Sequence, residues 1–178
     1  MDYLAIINRY YDKKSKLYHI LLTHSHAVCN KALYIVDRHP ELHADRRFVE
    51  EAAMLHDIGI IRCNAPSIQC FGTEPYICHG RIGAEMLRSE GYERHARVCE
   101  RHTGTGITKD QIIRESIPLP YQDFLPETIE EQIICYADKF FSKTHLDKQK
   151  TAEQVEIGLA RFGEESVRRF RKWEEIMG

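Results

Sequence analysis

"AAMLHDIGI", residues 52–60, begins as a buried helix and then does something costly. His56 and Asp57 stand side by side where the apolar pattern calls for core. A buried ionisable group without a partner costs several kcal/mol, so something must lie opposite this pair. The search for that partner runs outward along the helical faces. Each helical residue advances about 100°, and residues three and four apart share a face. Before this pair, Phe48, Val49, Ala52, Ala53 and Leu55 define the buried arc; His56 falls in its middle and Asp57 at its margin.

Upstream, a helix is expected from about Ser15 to Arg38, stopped by Pro40. Its stripe is Leu17, Leu21, His24, Val28, Ala32 and Ile35, which puts His24 in the core face and turns His26 away. Downstream, His79 shares a face with Ile82, Gly83, Met86 and Leu87, and His102 with His95, Val98 and Cys99. Asp138 borders the apolar arc of "EEQIICYADKFF". Five helices thus each aim a metal-capable side chain inward. One histidine on an apolar face is ordinarily a hydrogen-bonded core residue, but five helices doing so together is a different matter. Every buried imidazole and carboxylate needs partners, and one or two shared cations would satisfy the whole set. Imidazoles and carboxylates without thiolates suit iron, manganese, zinc or nickel.

The rest of the pattern is helical, with no alternating strand of useful length. Helices are expected over residues 2–11, from Ala44 through the opening stretch, and over 79–90, 93–102 and 108–115. Thr128 with Glu131 and Thr151 with Gln154 have capping-box spacing; the first box opens a helix to about Lys143, the second a single last helix to residue 177. Residues 59–78, "TGTG" at 103–106 and "SIPLPYQDFLPE" interrupt the helices. The expected architecture is all-α: one domain over 1–178, with a core at about 15–145 and the 151–177 helix docked on it.

Composition bounds the function. Hydrophobic residues make up 43%, charged residues 29%, and the net charge is -2, which gives no global field toward nucleic acid or anionic lipid. No apolar run reaches the roughly 20 residues of a membrane helix, and the N-terminus does not read as a signal peptide. The six cysteines contain no Cys-x-x-Cys pair and read as free thiols in a reducing cytoplasm. Cys63, Cys70 and Cys78 share one loop region, with a spacing too loose for a zinc motif.

The ordered set H…HD…H…H…D resembles the HD-domain superfamily of metal-dependent phosphohydrolases. The resemblance spans about residues 15–145 and rests on "HSHAVCNKA" from His24, "LHDIG" at 55–59, "HGRIGAEML" from His79, "RHTG" containing His102, and "YADKF" containing Asp138. It implies an all-α bundle with metal at its centre. It also implies that His24, His56, Asp57 and Asp138 hold one ion, while Asp57 bridges to a second held by His79 and His102. Asp57 and His56 become the expected catalytic residues. Iron is the first expectation, with manganese, zinc, nickel or magnesium as alternatives. Members with this arrangement include hydrolases of symmetrical dinucleoside tetraphosphates and the HD-GYP cyclic-dinucleotide phosphodiesterases; no GYP segment is present here.

The implied reaction is hydrolysis of a nucleotide or related small phosphoester. The same ligand set also serves di-iron oxygenases of the superfamily, and a non-catalytic nucleotide sensor could keep it for folding. Substrate contacts are expected from Arg81, Arg101, Lys109 and Thr103, which neighbour the ligands or the TGTG turn, while Lys139 is expected to project away from the metal centre. Tyr121 and Phe124 could stack a base or pin their loop, and Arg168, Arg169, Arg171 and Lys172 read as a solvated helix face. The expected partner is a small phosphorylated substrate, with a second copy of the chain as a further possibility.

Overall fold

The computed structural model describes residues 1–178. Nine helices carry the chain: α1 (Tyr3–Tyr10), α2 (Lys16–Arg38), α3 (Arg46–Leu55), α4 (His79–Ser89), α5 (Glu93–Arg101), α6 (Lys109–Arg114), α7 (Ile129–Asp138), α8 (Ala152–Leu159) and α9 (Glu164–Met177). The only sheet pairs Asn64–Ala65 with Cys70–Phe71 inside the α3–α4 connection. No helix is long and apolar enough to cross a membrane.

Local chemistry starts the helices where the sequence places them. Asp2, Ser15, Asp45 and Thr108 each accept a backbone N–H of the first turn, satisfying donors that a helix leaves unpaired. Both capping boxes form, at Thr128/Glu131 and Thr151/Gln154. Two boundaries differ from expectation. Helix α7 ends at Asp138, not near Lys143. Its last amides reach back only three residues, Lys139 to Tyr136 and Phe141 to Asp138 (each 3.1 Å), so the chain tightens and turns off the helix axis. The expected single last helix is two, α8 and α9, parted at Gly163, whose φ of 95° is left-handed.

The core has two lobes. Helices α2, α3, α7, α8 and α9 build one around Ala32, Ile35, Val49, Ile134 and Phe170. The other joins α1, the first turns of α2, and α4 and α5 around Ile7, Leu21, Leu55, Ile58 and Leu87. His24, between Leu21 and Val28, and His56, after Leu55, fall where the lobes meet. Tyr11 anchors this junction: its hydroxyl donates to Ile58 O (2.7 Å) and accepts from Ile61 N (3.2 Å). The basic C-terminal stretch is docked through Phe170 and Trp173, with Phe170 stacked on Tyr136 at 5.4 Å.

Of its cations, Arg168 and Arg171 pair with Glu165 and Glu156, but Arg169 turns inward. It donates to Thr105 O (3.0 Å) and Gly106 O (3.2 Å), tying the TGTG turn to α9. Arg169→Ala is therefore expected to cost about 2 kcal/mol, the scale of charged hydrogen bonds to buried carbonyls, as read by urea denaturation.

Candidate metal centre

Five of the six inward-facing ligand candidates sit at helix ends or turns. His56 caps the C-terminus of α3, Asp57 opens the short 3-10 turn of residues 58–62, His79 starts α4, His102 follows α5, and Asp138 ends α7. Helix ends supply what an imidazole ligand needs, a free carbonyl nearby. His56 Nδ1 donates to Ala53 O (2.7 Å), His79 Nδ1 to Tyr76 O (2.6 Å) and His102 Nδ1 to Cys99 O (2.7 Å), each three residues upstream. A carbonyl can only accept, so each Nδ1 carries the proton and each Nε2 is left as a bare lone pair.

Those lone pairs converge. His24 Nε2 lies 3.1 Å from Asp57 Oδ2 and 3.0 Å from Asp138 Oδ1; His56 Nε2 lies 3.0 Å and 3.5 Å from the same two atoms. His79 Nε2 and His102 Nε2 lie 3.5 Å and 3.4 Å from the other oxygen, Asp57 Oδ1, and 3.0 Å from each other. The six side chains thus form two groups, His24/His56/Asp57/Asp138 and Asp57/His79/His102, joined by Asp57.

Two observations show that a cation fits. Ligand atoms held by bonds of about 2.1 Å end up roughly 3.0–3.5 Å apart, the spacing found here. The facing Nε2 atoms of His79 and His102 cannot donate to each other, and Asp57 Oδ1 is buried without a hydrogen bond. One shared cation in each group would satisfy that arrangement.

Electrostatics grade the centre. Burial pulls the His56 pKa down, but with no cation in the site Asp57 and Asp138 outweigh it and carry it up to about 9, so its Nε2 would take a proton that a bound metal ion would displace. Burial and the adjacent His102 lower His79 to about 3. Burial works against the Asp57 carboxylate, yet Lys143 and His56 hold its pKa well below the usual range; Lys139 and His24 do the same for Asp138. Both carboxylates are therefore anionic.

Lys143 was not foreseen. Its Nζ lies 2.6 Å from Asp57 Oδ2 and 5.9 Å from the ring of Tyr76, which itself stacks on His79 at 4.7 Å. Lys139 corrects the sequence expectation: it caps α7, and its long side chain curls back to Asp138 Oδ2 (2.7 Å) and His102 O (3.0 Å).

A cavity of about 340 Å³ opens from the centre, with His79, His102 and Asp138 in its floor. Thr103 lies in its wall as expected. Arg81, Arg101 and Lys109 do not. Arg81 pairs with Glu85 on the outer face of α4, Arg101 reaches Glu127 (2.7 Å) and Leu125 O, and Lys109 is exposed beside Asp123. Closeness in sequence to a ligand misled here, because one residue along a helix is about 100° around it. Phe124 is buried with Ile107 and Ile112, pinning its loop, while Tyr121 is exposed. The far wall comes instead from residues 139–162, which include Lys143, Lys150 and Phe162. Cys63, Cys70 and Cys78 are buried free thiols, each donating to a different carbonyl (Gly59, Ile68 and Pro118), and make no ligand group.

An all-α bundle with this H…HD…H…H…D centre defines a metal-binding class, and the comparisons agree. The HD-domain family profile matches residues 21–142, and the chain belongs to the HD-domain family. Among its relatives are proteins named tRNA (cytidine(56)-2'-O)-methyltransferase. The one from Picrophilus torridus is 36% identical over 124 residues, 69% of this chain and 32% of that protein. The one from Thermoplasma volcanium is 30% identical over 159 residues, 88% of this chain and 41% of that protein. An uncharacterized protein of Methanocaldococcus jannaschii is 40% identical over 101 residues, 56% of this chain and 52% of that protein. The chain therefore matches about a third to a half of the length of these curated relatives. Among solved structures, the HD domain of the L. monocytogenes phosphodiesterase PgpH shares the fold, with a TM-score of 0.54 at 16% identity, covering 96% of this chain and 94% of that one.

Metal removal should be visible in stability. A ligand a thousandfold above its dissociation constant adds about 4 kcal/mol to the folded state, roughly 8–16 °C for a chain of this size. Chelation with EDTA is expected to lower the melting temperature by that order and readdition of a divalent cation to restore it, followed by differential scanning fluorimetry.

Proposed function

We propose that this chain is a metal-dependent phosphohydrolase acting on a nucleotide or related small phosphoester. The observation that carries the reading is the division of Asp57: one oxygen faces His24, His56 and Asp138, the other His79 and His102. Such a shared carboxylate would hold two cations side by side, the arrangement that stabilises both oxygens of an in-line displacement at phosphorus. Iron is the first expectation for these ligands, with manganese, zinc, nickel or magnesium as alternatives.

Cations held here supply Lewis acidity and bring a coordinated water toward neutral pKa. The chain's own residues do the rest. Nδ1–H bonds to backbone carbonyls fix the rings of His56, His79 and His102. Burial works to deprotonate Lys143, but Asp57 and Tyr76 hold its ammonium charged, so it is a fixed positive charge rather than a proton donor. At the mouth of the centre it is placed to neutralise a phosphoryl oxygen as charge develops. Overall, water adds to phosphorus, the P–O ester bond breaks, and the leaving oxygen takes up a proton.

The methyl transfer named for two relatives is said of those proteins, of which the matched part is 32% and 41%. Alkylation of a ribose hydroxyl calls for a methyl-donor site and has no use for a six-ligand buried centre, so we assign hydrolysis to this part.

The test is a screen of metal-analysed protein over nucleotides and dinucleoside polyphosphates, with and without oxygen. Phosphate release should be equal under both atmospheres. Product formed only with oxygen would move the chain to the oxygenases; tight nucleotide binding with no turnover would make it a sensor. Within the active enzyme, Lys143→Gln is expected to lower kcat about a hundredfold while metal content holds, the usual cost of losing one pre-placed electrostatic contact.

A further inference from the structure

The cavity beside the metal centre carries more positive charge than one phosphoryl group needs. Lys139, Lys143, Lys150 and Arg161 line it, and Asp138 is the one carboxylate in its wall. The first two lysines are committed to Asp138 and Asp57. Lys150 and Arg161 make no ion pair. Both are exposed at its rim. Lys150 N donates to Phe140 O (2.8 Å), closing the loop that follows α7, and the Arg161 guanidinium rests 4.6 Å over the Phe162 ring. Burial lowers the Lys150 pKa, and Lys139, Arg161 and Lys143 lower it further against the pull of Asp138, so these cations share one space. Ile77, Val155, Leu159 and Phe162 give the same cavity an apolar part. Unpaired cations and apolar side chains around one cavity of about 340 Å³, continuous with the cluster of His79, His102 and Asp138, are the features a small organic anion needs.

We propose that Lys150 and Arg161 form a second anion subsite, and that the substrate is a small organic molecule with at least two linked phosphoryl groups. One phosphoryl group occupies the metal centre beside Lys143, the next meets Lys150 and Arg161, and the organic part lies on the apolar wall. The hydrolysed bond is then the phosphoanhydride: water adds at the phosphorus beside Lys143, the P–O–P link breaks, and the departing phosphate keeps the second phosphoryl and takes up the proton. This deepens the phosphohydrolase reading and rests on it for turnover, though not for binding.

Isothermal titration of the metal-loaded full chain with inorganic phosphate and with methylenediphosphonate tests it without catalysis. The wild type should bind the diphosphonate at least tenfold more tightly. The Lys150→Gln/Arg161→Gln double variant should lose that ratio while keeping its phosphate affinity and metal content. Equal affinities in the wild type, or a ratio that survives in the double variant, would overturn the subsite. So would a short single-stranded RNA that binds through Lys150 and Arg161 more tightly than a nucleoside diphosphate, because the cations would then track a polymer. Diphosphonate selectivity without hydrolysis of any phosphoester would sink the enzyme and leave the subsite; hydrolysis without selectivity would do the reverse.

Discussion

Asp57→Ala is expected to lose both metal ions, whereas His79→Ala loses one. The difference follows from the sharing of Asp57. Its two oxygens face five of the centre's other groups, four imidazoles and Lys143, at 2.6–3.5 Å. Without it, the first group keeps His24, His56 and Asp138, but the second is reduced to two facing imidazoles 3.0 Å apart with no anion between them. Removing the carboxylate also strands the Lys143 ammonium in a buried site, which repels any cation that enters. Turnover should fall at least about a thousandfold, roughly 4 kcal/mol of transition-state stabilisation. Asp57→Asn keeps the shape and should fail almost as badly, which separates charge from packing. Metal content by mass spectrometry of the purified variants, alongside phosphate release, reads both effects. An Asp57→Ala protein that retains two ions would remove the bridge from the mechanism.

The centre was legible in the sequence because its residues keep the helical period up to the point where each helix ends. His24 lies on the stripe of Leu21 and Val28, and His56 continues the arc of Ala52 and Leu55; these positions are buried, and their imidazole rings lie 5.3 Å apart. Faces can be read from spacing, since burial and periodicity share one cause. What spacing cannot give is the path of the chain once a helix stops. The apolar pattern of "CYADKFF" continues past Asp138, so spacing alone predicts helix to about Lys143. In fact the backbone tightens there, and Lys143 swings back over Asp57 from outside any repeat. Arg81, Arg101 and Lys109 failed in the complementary way, being neighbours of the site in sequence but turned onto other faces. One missed signal was available. Gly163 is the residue type that most readily takes a positive φ at a helix end, and it marks where α8 gives way to α9. That break sets α8 across the cavity and makes its residues a wall.

Gly59→Ala is expected to destabilise the fold by about 3 kcal/mol, and Gly158→Ala to stabilise it slightly, although the two substitutions are chemically identical. At Gly59 an added Cβ would lie 2.1 Å from His79 O and 2.4 Å from Gly83 N, both backbone atoms of α4 that cannot rotate away. The 3-10 turn after Asp57 must then separate from α4, and overpacking against backbone lies at the severe end of core substitutions. For a chain of this length that shift corresponds to roughly 6–12 °C in Tm. The damage is directional. Asp57 stands two residues before Gly59, and His79 is itself the contact, so separation pulls the bridging carboxylate away from the His79/His102 pair. The ion of that group should be lost ahead of the one held by His24, His56 and Asp138. At Gly158, within α8, nothing lies within 4 Å of the added Cβ and φ is not left-handed. There the methyl group only limits the unfolded chain and favours the helix, worth about 0.5–1 kcal/mol. Urea denaturation of the two variants, with metal stoichiometry measured on each, decides the matter. Equal stabilities would mean that the turn after Asp57 can yield without cost, and that the glycine of HDIG is not there for the close approach of two backbones.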